Sequence, residues 1–540
     1  MTHLTKQLKT AKGTEMPHAE FIQKPNISAW HTKRYQLALL YSLGFAVQGM
    51  LMYNLSISIV CMVNPQHISH NAGANNVNVS TEMTRIGTMP LECSDAHNLT
   101  TSRSCGQKGE FTWSKQLQGL LLGAMFWGYM VGQLFAGVLS QRFGARMVMG
   151  LGVGASAVLT LFSPVAARTN PYLFLAMRLL FGICLAVIFP SMATFWAKWA
   201  PPNEYSRIVS VCIAGSTVGN AVVYPIGGLL CGDGVSLGWP FIFYTTGGIA
   251  ALWTLLWVLL ARNQPSQAAG ISAEEKAYIE ACLRHRVQLS RVNSVPWRSM
   301  FTSRPVYANM ANNFLTNYGL YMLLTQMPTY FNDVHKLNFR SNGAYSMVPV
   351  VCMGIATFVC GFLADLLISR KICSVGVTRK IIVTLGTLFP GICMVILAQA
   401  ERGQHLFAVS MLCLAVGFVG FGMCGFSTNY VDIAHQYAGI LSGIGNAIAS
   451  LPGVLAPYVV SRLTPNGTRS EWQLVFYVAA GVVSLATVIF IPFGSGELQS
   501  WAQPKEVEQT VFIGKQTMQD EAPIINDCRK DAEVIHVFKN

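Results

Sequence analysis

Runs of about 20 mostly apolar residues recur along the whole chain, separated by short stretches of charged residues, prolines or glycines. An α-helix needs a run of about this length to cross the hydrocarbon core of a bilayer. The sequence has 540 residues, of which 52% are hydrophobic and 11% are charged. Soluble domains carry about 25% charged residues. The sequence therefore predicts an all-α membrane protein.

Counting these runs predicts twelve transmembrane helices. Their predicted bounds are 35–63, 116–138, 145–167, 171–197, 207–231, 240–262, 305–333, 343–369, 377–399, 404–430, 437–462 and 472–494. A long polar connection separates the first six from the last six. The stretch GVLSQRFGAR after the second helix is echoed by GFLADLLISR after the eighth. Two similar six-helix halves are typical of transporters with a substrate site between the halves, near the bilayer midplane.

The polar segments complete the predicted organisation. We predict a cytosolic N-terminal tail over 1–34, a first half over 35–262 and a second half over 305–494. A large outer loop occupies 64–115, a cytosolic linker occupies 263–304 and a cytosolic C-terminal tail occupies 495–540. Within the linker, Ser272 and Glu275 have the spacing of a capping box that begins an amphipathic surface helix over 272–286.

The basic residues predict the orientation, because cytosolic loops are enriched in lysine and arginine. Basic residues follow the second, fourth and eighth helices: Arg142, Arg146, Lys198, Arg207, Arg370, Lys371, Arg379 and Lys380. Glycosylation sequons at Asn78, Asn98 and Asn466 then fall on the outer face, where glycosylation takes place. The net charge of +13 therefore reflects topology, and no nucleic-acid partner is expected.

Most of the 14 cysteines occur singly within apolar runs, where cysteine usually acts as a small hydrophobic residue. Cys93 and Cys105 differ because both lie in the long polar outer loop. An outer location permits a disulfide between them.

The paired loops resemble the signature of the major facilitator superfamily, in which a glycine precedes an acid and basic residues follow around a tight turn. Asp365 occupies the acid position in the second half, whereas Gln141 replaces it in the first. The resemblance implies conformational gating by Arg142, Arg146, Asp365 and Arg370, with a weaker charge lock in the first half.

A more specific resemblance covers roughly residues 35–502. It rests on RYQLALLYSLGF, FWGYMVGQLFAGVLSQRFG, KWAPPNEYSR, GWPFIFY, ISAEEKAYI, VDIAHQYAGILSGIGN and EWQLVFYVAAG. These stretches resemble the organic-anion transporters that comprise sialin, the vesicular glutamate transporters and the type I sodium–phosphate cotransporters. The resemblance implies a secondary carrier of organic anions that works by alternating access.

Most charged positions of that family are not charged here. Relatives carry an arginine in helix 1, a histidine in helix 2, acids in helix 4 and an arginine in helix 7. The corresponding residues are Met52, Leu122, Phe181, Leu185 and Thr316. Only Arg178, in helix 4, matches. The missing helix 4 acids argue against proton coupling and favour potential-driven uniport or sodium coupling.

Arg178 is a single cation within an apolar helix, where a charge costs about 2.5–3.5 kcal/mol on insertion scales. Its planar donor fork matches a carboxylate or phosphate, so we expect it to anchor the anionic substrate. The alternative is a structural role, in which the side chain reaches the headgroups or pairs with carbonyls.

Polar residues in other helices are the remaining substrate-binding candidates. The seventh helix has a polar stripe that includes Asn309 and Asn312, and interhelical hydrogen bonding is its alternative explanation. The candidates are Asn313, Thr316, Asn317, Tyr321, Tyr53, Asn54, Tyr129, Asn220 and Asn446.

The sequence has no nucleophile elbow, nucleotide-binding loop or metal-ligand cluster, so neither enzyme activity nor a cofactor is expected. A monomer that binds a small organic anion, with sodium or proton as a possible coupling ion, is the favoured interpretation. Sodium-dependent phosphate transport, or a channel or sensor that does not transport, are the alternatives. The location is either the plasma membrane or an endolysosomal or vesicular membrane.

Overall fold

The computed structural model describes residues 32–64, 109–201, 204–232, 238–268, 270–289 and 295–503. Within these residues twelve long helices follow one another. They are α1 (Lys33–Met62), α2 (Lys115–Phe143), α3 (Ala145–Thr169), α4 (Pro171–Leu185 and Ile188–Trp199), α5 (Tyr205–Cys231), α6 (Pro240–Leu260), α7 (Arg304–Asp333), α8 (Phe339–Ser369), α9 (Val375–Leu397), α10 (His405–Ile433), α11 (Ala438–Ile448 and Leu451–Leu463) and α12 (Arg469–Phe493). The prediction of an all-α protein with twelve helices is confirmed.

Eleven of these helices are long and apolar enough to cross a membrane. The remaining helix, α7, is long enough with 30 residues. Its asparagines and other polar residues lower its mean hydropathy. Most of its side chains are buried, so its polar groups are shielded from lipid by the other helices.

Helices α4 and α11 were predicted as continuous, and the structure interrupts both near their middles. Pro190 and Pro452 lie just after the two breaks. Proline has no N–H to donate, and its ring clashes with the carbonyl four residues earlier. The carbonyls concerned belong to Ala186 and Ile448, which lie at the end of each preceding segment.

The two halves meet along three helix pairs, α1 with α7, α2 with α11, and α5 with α8. Glycines allow α5 and α8 to approach closely. A Cβ on Gly228 would lie 2.6 Å from the Phe339 carbonyl oxygen and 3.0 Å from Cα of Gly343. Any larger side chain would separate the halves here.

The predicted surface helix of the linker runs over Ala273–Leu289, and its N-terminus lies against α1. The Glu275 backbone N–H donates to the Ser272 hydroxyl at 3.1 Å. The Glu275 carboxylate accepts from the backbone N–H groups of Lys33 at 2.9 Å and Arg34 at 3.1 Å. The negative charge therefore caps the first turn of α1, where the helix dipole favours an anion.

A disulfide joins Cys61, near the end of α1, to Cys231, the last residue of α5. The sequence analysis treated both as small hydrophobic residues within apolar runs, which is wrong for this pair. Each lies at the outer end of its helix, where the chain leaves the apolar layer. The predicted Cys93–Cys105 disulfide and the sequons at Asn78 and Asn98 lie outside the described residues.

Candidate functional site

In the described chain the two halves are hydrogen-bonded near the predicted outer face, and open space lies beside the predicted cytosolic segment of α11. Within the described chain, the hydrogen bonds that cross between halves all lie in the outer parts of the helices. The Ser56 hydroxyl donates to the Leu324 and Thr325 carbonyls, and the Tyr224 hydroxyl donates to Leu324 at 2.6 Å. On the cytosolic segment of α11, no atom lies within 4 Å of where a Cβ on Gly439 or Gly443 would be.

An ion pair strengthens the outer closure. The Lys115 ammonium at the start of α2 donates to the Asp333 carboxylate at the end of α7, at 2.7 Å. The Trp472 indole N–H, at the start of α12, donates to the same carboxylate at 3.3 Å. The two charged side chains are only 12% and 10% exposed. Opening the cleft outward therefore requires this charge pair to separate.

Arg178 lies inside the first half and is only 2% exposed. Its Nη1 donates to Oδ1 of Asn54 at 3.4 Å, and its Nη2 lies 3.9 Å from Sδ of Met125. The guanidinium lies 4.7 Å from the centre of the Phe181 ring, a cation–π distance. Its Nε is buried without a hydrogen-bond partner. Among the described residues no carboxylate forms an ion pair with it.

The partners of Arg178 are side chains of α1 and α2 and the ring of Phe181, and neither a backbone carbonyl nor a position at the headgroups is among its contacts in the described chain. The side chain does not reach a helix end, because α4 begins seven residues earlier, at Pro171, and the guanidinium points to α1 and α2. A buried charge with this few partners is costly unless an opposite charge compensates it.

Asn54 connects Arg178 to a third helix. Its Nδ2 donates to the Thr246 hydroxyl on α6 at 3.3 Å, which leaves Oδ1 facing the guanidinium. The Thr246 hydroxyl in turn donates to the Ile242 carbonyl at 2.7 Å. This chain of bonds fixes the orientation of the Asn54 amide, so it presents its acceptor to Arg178. Asn54 contacts the cation and holds it in place.

The polar stripe on α7 separates into two groups. In the first group Asn309 donates to the Phe426 carbonyl on α10 at 3.1 Å, and the Thr316 hydroxyl donates to Asn312 at 3.2 Å. All three side chains are fully buried, and Thr316 packs against Gly422 on α10. For this group the alternative of hydrogen bonding within the bundle describes the contacts better than cavity lining does.

The second group reaches the open cleft. Nδ2 of Asn317 donates to Oδ1 of Asn313 at 2.7 Å, and Nδ2 of Asn313 donates to Oδ1 of Asn446 at 3.3 Å and to the Tyr430 hydroxyl at 3.4 Å. Asn446 itself is exposed and lies just before the break in α11. The second half thus presents neutral amides, whereas the first half holds the cation.

The tyrosine candidates lie between these two regions. The Tyr53 hydroxyl lies near those of Tyr129, Tyr224 and Tyr321. Tyr321 packs against Phe126 of the first half, with ring centres 4.6 Å apart.

Two further contacts complete this middle layer. Gln48 donates from Nε2 to the Tyr129 hydroxyl at 3.0 Å. Asn220 is turned toward α1, where Gly49 leaves room for it, and its Oδ1 is buried without a partner.

The four predicted gating residues make no contact across the halves in the described chain. Arg146 donates to the Val258 carbonyl on α6, and Arg142 lies over the ring of its neighbour Phe143. Asp365 and Arg370 are exposed. With the cytosolic face open, a lock at that face is not expected to be formed. The gating role of these residues stays a prediction.

Sequence reasoning did not single out Gln48, Met125, Thr246 and Tyr430. A glutamine within an apolar helix was a usable signal for Gln48, since a buried amide needs partners. Nothing in the sequence distinguishes Met125 or Tyr430 from packing residues. The same holds for Thr246, because many threonines in membrane helices donate to a backbone carbonyl of their own helix.

The chain belongs to the major facilitator superfamily, whose sequence model matches residues 43–457. The fold, the two halves and the central cleft agree with a membrane transporter of that class. Among curated proteins it is 35% identical to human sialin over 87% of this chain and 90% of sialin. It is also 35% identical to vesicular glutamate transporter 3 of Danio rerio, over 92% of this chain and 79% of that protein.

Two solved structures show the same fold. A bacterial homologue of the lysosomal transporter Spinster, in an inward-facing state, has a TM-score of 0.61 at 13% identity, covering 85% of this chain and 96% of that one. The inward-open xylose transporter XylE of E. coli has a TM-score of 0.59 at 17% identity, covering 85% and 96%. At such identities the likeness concerns the fold alone.

Proposed function

We propose that the protein is a secondary carrier of organic anions whose anionic group binds Arg178. The observation that carries this proposal is the buried guanidinium, which has one weak amide partner and no carboxylate among the described residues. An entering anion would supply the missing charge, and its planar carboxylate would match the donor fork. The names of the curated relatives, sialin and vesicular glutamate transporters, support an anionic substrate.

The remainder of the substrate would lie against the second half. Asn446 and Asn313 offer donors and acceptors without charge, which suits hydroxyl, carbonyl or amide groups. In the cytosol-facing state Arg178 is covered, so the substrate would draw the cation toward the cleft. Separation of Lys115 from Asp333 would then permit the outward opening that alternating access requires.

Coupling remains part of the proposal. No carboxylate lies beside Arg178 in the described chain, so transport driven by the membrane potential or by sodium is favoured over coupling through a protonated acid in helix α4. We further propose that the protein acts as a monomer, and that it resides in the plasma membrane or in an endolysosomal or vesicular membrane.

Uptake into proteoliposomes tests the function. Labelled sialic acid, glutamate, urate and phosphate are offered under separate sodium, proton and voltage gradients. Saturable uptake of an organic anion, with exchange of labelled for unlabelled substrate, is the expected result. Conductance without exchange would instead identify a channel, and uptake of phosphate alone would identify the rival substrate.

The role of Arg178 is tested in the same assay. Arg178→Lys keeps the charge but loses the planar pair of N–H donors, so we expect uptake to fall by at least about tenfold. Asn54→Ala should raise the KM for the anion while the protein remains folded. The matched control is Arg298→Gln, an exposed cation at the cytosolic face. Unchanged uptake by Arg178→Lys would contradict the anchor role.

A further inference from the structure

Two arginines lie side by side where the start of α3 meets the end of α6. Nη2 of Arg146 donates to the Val258 carbonyl at 2.6 Å, and Nη1 of Arg262 donates to the same oxygen at 3.3 Å. The two guanidinium groups therefore approach each other at one acceptor. Both lie on the predicted cytosolic face, at the level where the apolar helices end.

The surrounding contacts hold this pair in place. The Trp257 indole N–H donates to the Arg146 carbonyl at 3.0 Å, and the Trp199 indole N–H donates to the Arg262 carbonyl at 3.0 Å. The Arg146 backbone N–H donates to Oδ1 of Asn263 at 3.0 Å. The backbones on both sides are thus fixed, and the two cations cannot move far apart without breaking these bonds.

The like charges are not compensated within the described chain. Neither Arg146 nor Arg262 takes part in any of its ion pairs. Only backbone carbonyls accept from them, and Nε of Arg146 is buried without a partner. Two buried acids of this face, Glu204 and Glu275, are paired with Arg34. An external anion would neutralise the pair.

The surface beside the pair is apolar and faces away from the cleft. Met147 and Leu151 on α3 are 55% and 63% exposed, and Leu255 and Leu259 on α6 are 56% and 58% exposed. Side chains of this kind, exposed on helices that span a membrane, contact acyl chains. The cation pair therefore lies in the headgroup layer, directly at the end of a lipid-facing surface.

We propose that Arg146 and Arg262 form a binding site for the phosphate of an anionic phospholipid. Arginine donates to phosphate oxygens in a bidentate manner, and basic pockets between transmembrane helices on the cytosolic side suit anionic headgroups. The acyl chains would lie along α3 and α6. This site is separate from the cleft, and it gives Arg146 a partner in lipid where the sequence analysis had assigned it to gating.

The test measures lipid binding to the purified full-length protein in detergent by native mass spectrometry, with phosphatidylinositol as the probe. Arg146→Gln combined with Arg262→Gln should weaken binding by roughly fivefold for each arginine removed. Arg298→Gln, which removes an exposed cation of the linker at the same face, should leave it unchanged. Equal binding by the double variant and the wild type would overturn the proposal.

Two further measurements keep the result independent of folding. In the wild type, a photo-crosslinkable phosphatidylinositol should label peptides that contain Arg146 or Arg262, and labelling elsewhere alone would overturn the proposal. Phosphatidylcholine and inorganic phosphate are the competitors. We expect neither to displace the probe, whereas displacement by phosphate would identify a site for a soluble anion and displacement by phosphatidylcholine would exclude charge recognition.

Discussion

Lys115 and Asp333 form an ion pair of 2.7 Å that joins the first half of the protein to the second at the outer face. The partners come from α2 and α7, two helices that must separate when the cleft opens outward. Since Trp472 also donates to Asp333, three helices converge on one carboxylate.

Breaking this pair should favour the outward-open state. We predict that Asp333→Asn speeds the labelling of Ser56→Cys by a membrane-impermeant thiol reagent by about tenfold, which corresponds to about 1.4 kcal/mol. Ser56 is buried beneath the closure and becomes accessible only when the halves part.

The double exchange Lys115→Asp with Asp333→Lys should restore slow labelling, because it restores the attraction. Glu110→Gln is the control, since the Glu110–Arg168 pair is 41% and 52% exposed and lies within the first half. Fast labelling in the exchanged variant would show that the closure does not depend on this charge pair.

The cluster of Arg34 with two acids should dominate the stability of the cytosolic face. Arg34→Ala would take the Arg34 guanidinium away from Glu275, which is 2% exposed, and would remove the 2.9 Å ion pair with Glu204. Removing one partner from a buried ion pair costs about 3–5 kcal/mol. We therefore expect a large fall in the unfolding temperature in detergent. Arg469→Ala, whose partner Glu401 is 67% exposed, should change it little.

The Cys61–Cys231 disulfide predicts a specific peptide map. Digestion without reduction should release one cross-linked peptide pair containing Cys61 and Cys231, and the same map tests the Cys93–Cys105 prediction. The partners are 170 positions apart in the sequence, and loss of the bond in Cys61→Ser should lower stability by about 2–5 kcal/mol. Cys212→Ser, at a buried free thiol, controls for the substitution. Separate, uncrosslinked peptides would contradict the assignment.

His335 should make the outer face sensitive to acid. Burial, with a smaller contribution from His405, lowers the pKa of His335 to about 4, and its Nε2 lies 3.1 Å from the Tyr330 hydroxyl. The folded protein keeps this imidazole neutral while the unfolded chain binds a proton below about 6.5. Stability therefore falls as the pH decreases from about 6.5 toward 4.

Thermal unfolding measured across that pH range checks the prediction. His335→Gln should flatten the decline, whereas His435→Gln, at an exposed position, should follow the wild type. Parallel curves for His335→Gln and the wild type would show that protonation of His335 does not set the acid sensitivity.

The helices were predictable because the length of an apolar run and the polar residues that bound it are local properties of the sequence. The predicted start of the third helix at 145 and of the fourth at 171 match those of α3 and α4. The breaks were not predicted, since other prolines such as Pro164 and Pro225 lie within continuous helices. Whether a proline ends a segment depends on packing around the freed carbonyl.

The candidate site was predictable in part. A lone cation in an apolar helix and a polar stripe identify Arg178 and α7 from residue type alone. The sequence does not show which way a side chain turns, so it could not separate Thr316, which packs against α10, from Asn313, which reaches Asn446. The ion pair between Lys115 and Asp333 spans 218 positions and follows only from the fold.

The break in α4 has a mechanical consequence. The outer segment carries Arg178, whereas the cytosolic segment carries Trp196 and Trp199, which are embedded in an aromatic cluster. Because the helical hydrogen bonding is interrupted between the two segments, the outer segment can tilt toward an arriving ligand while the tryptophans keep their positions. In a continuous helix of the same length, any displacement of the guanidinium would also move the cytosolic segment and its tryptophans.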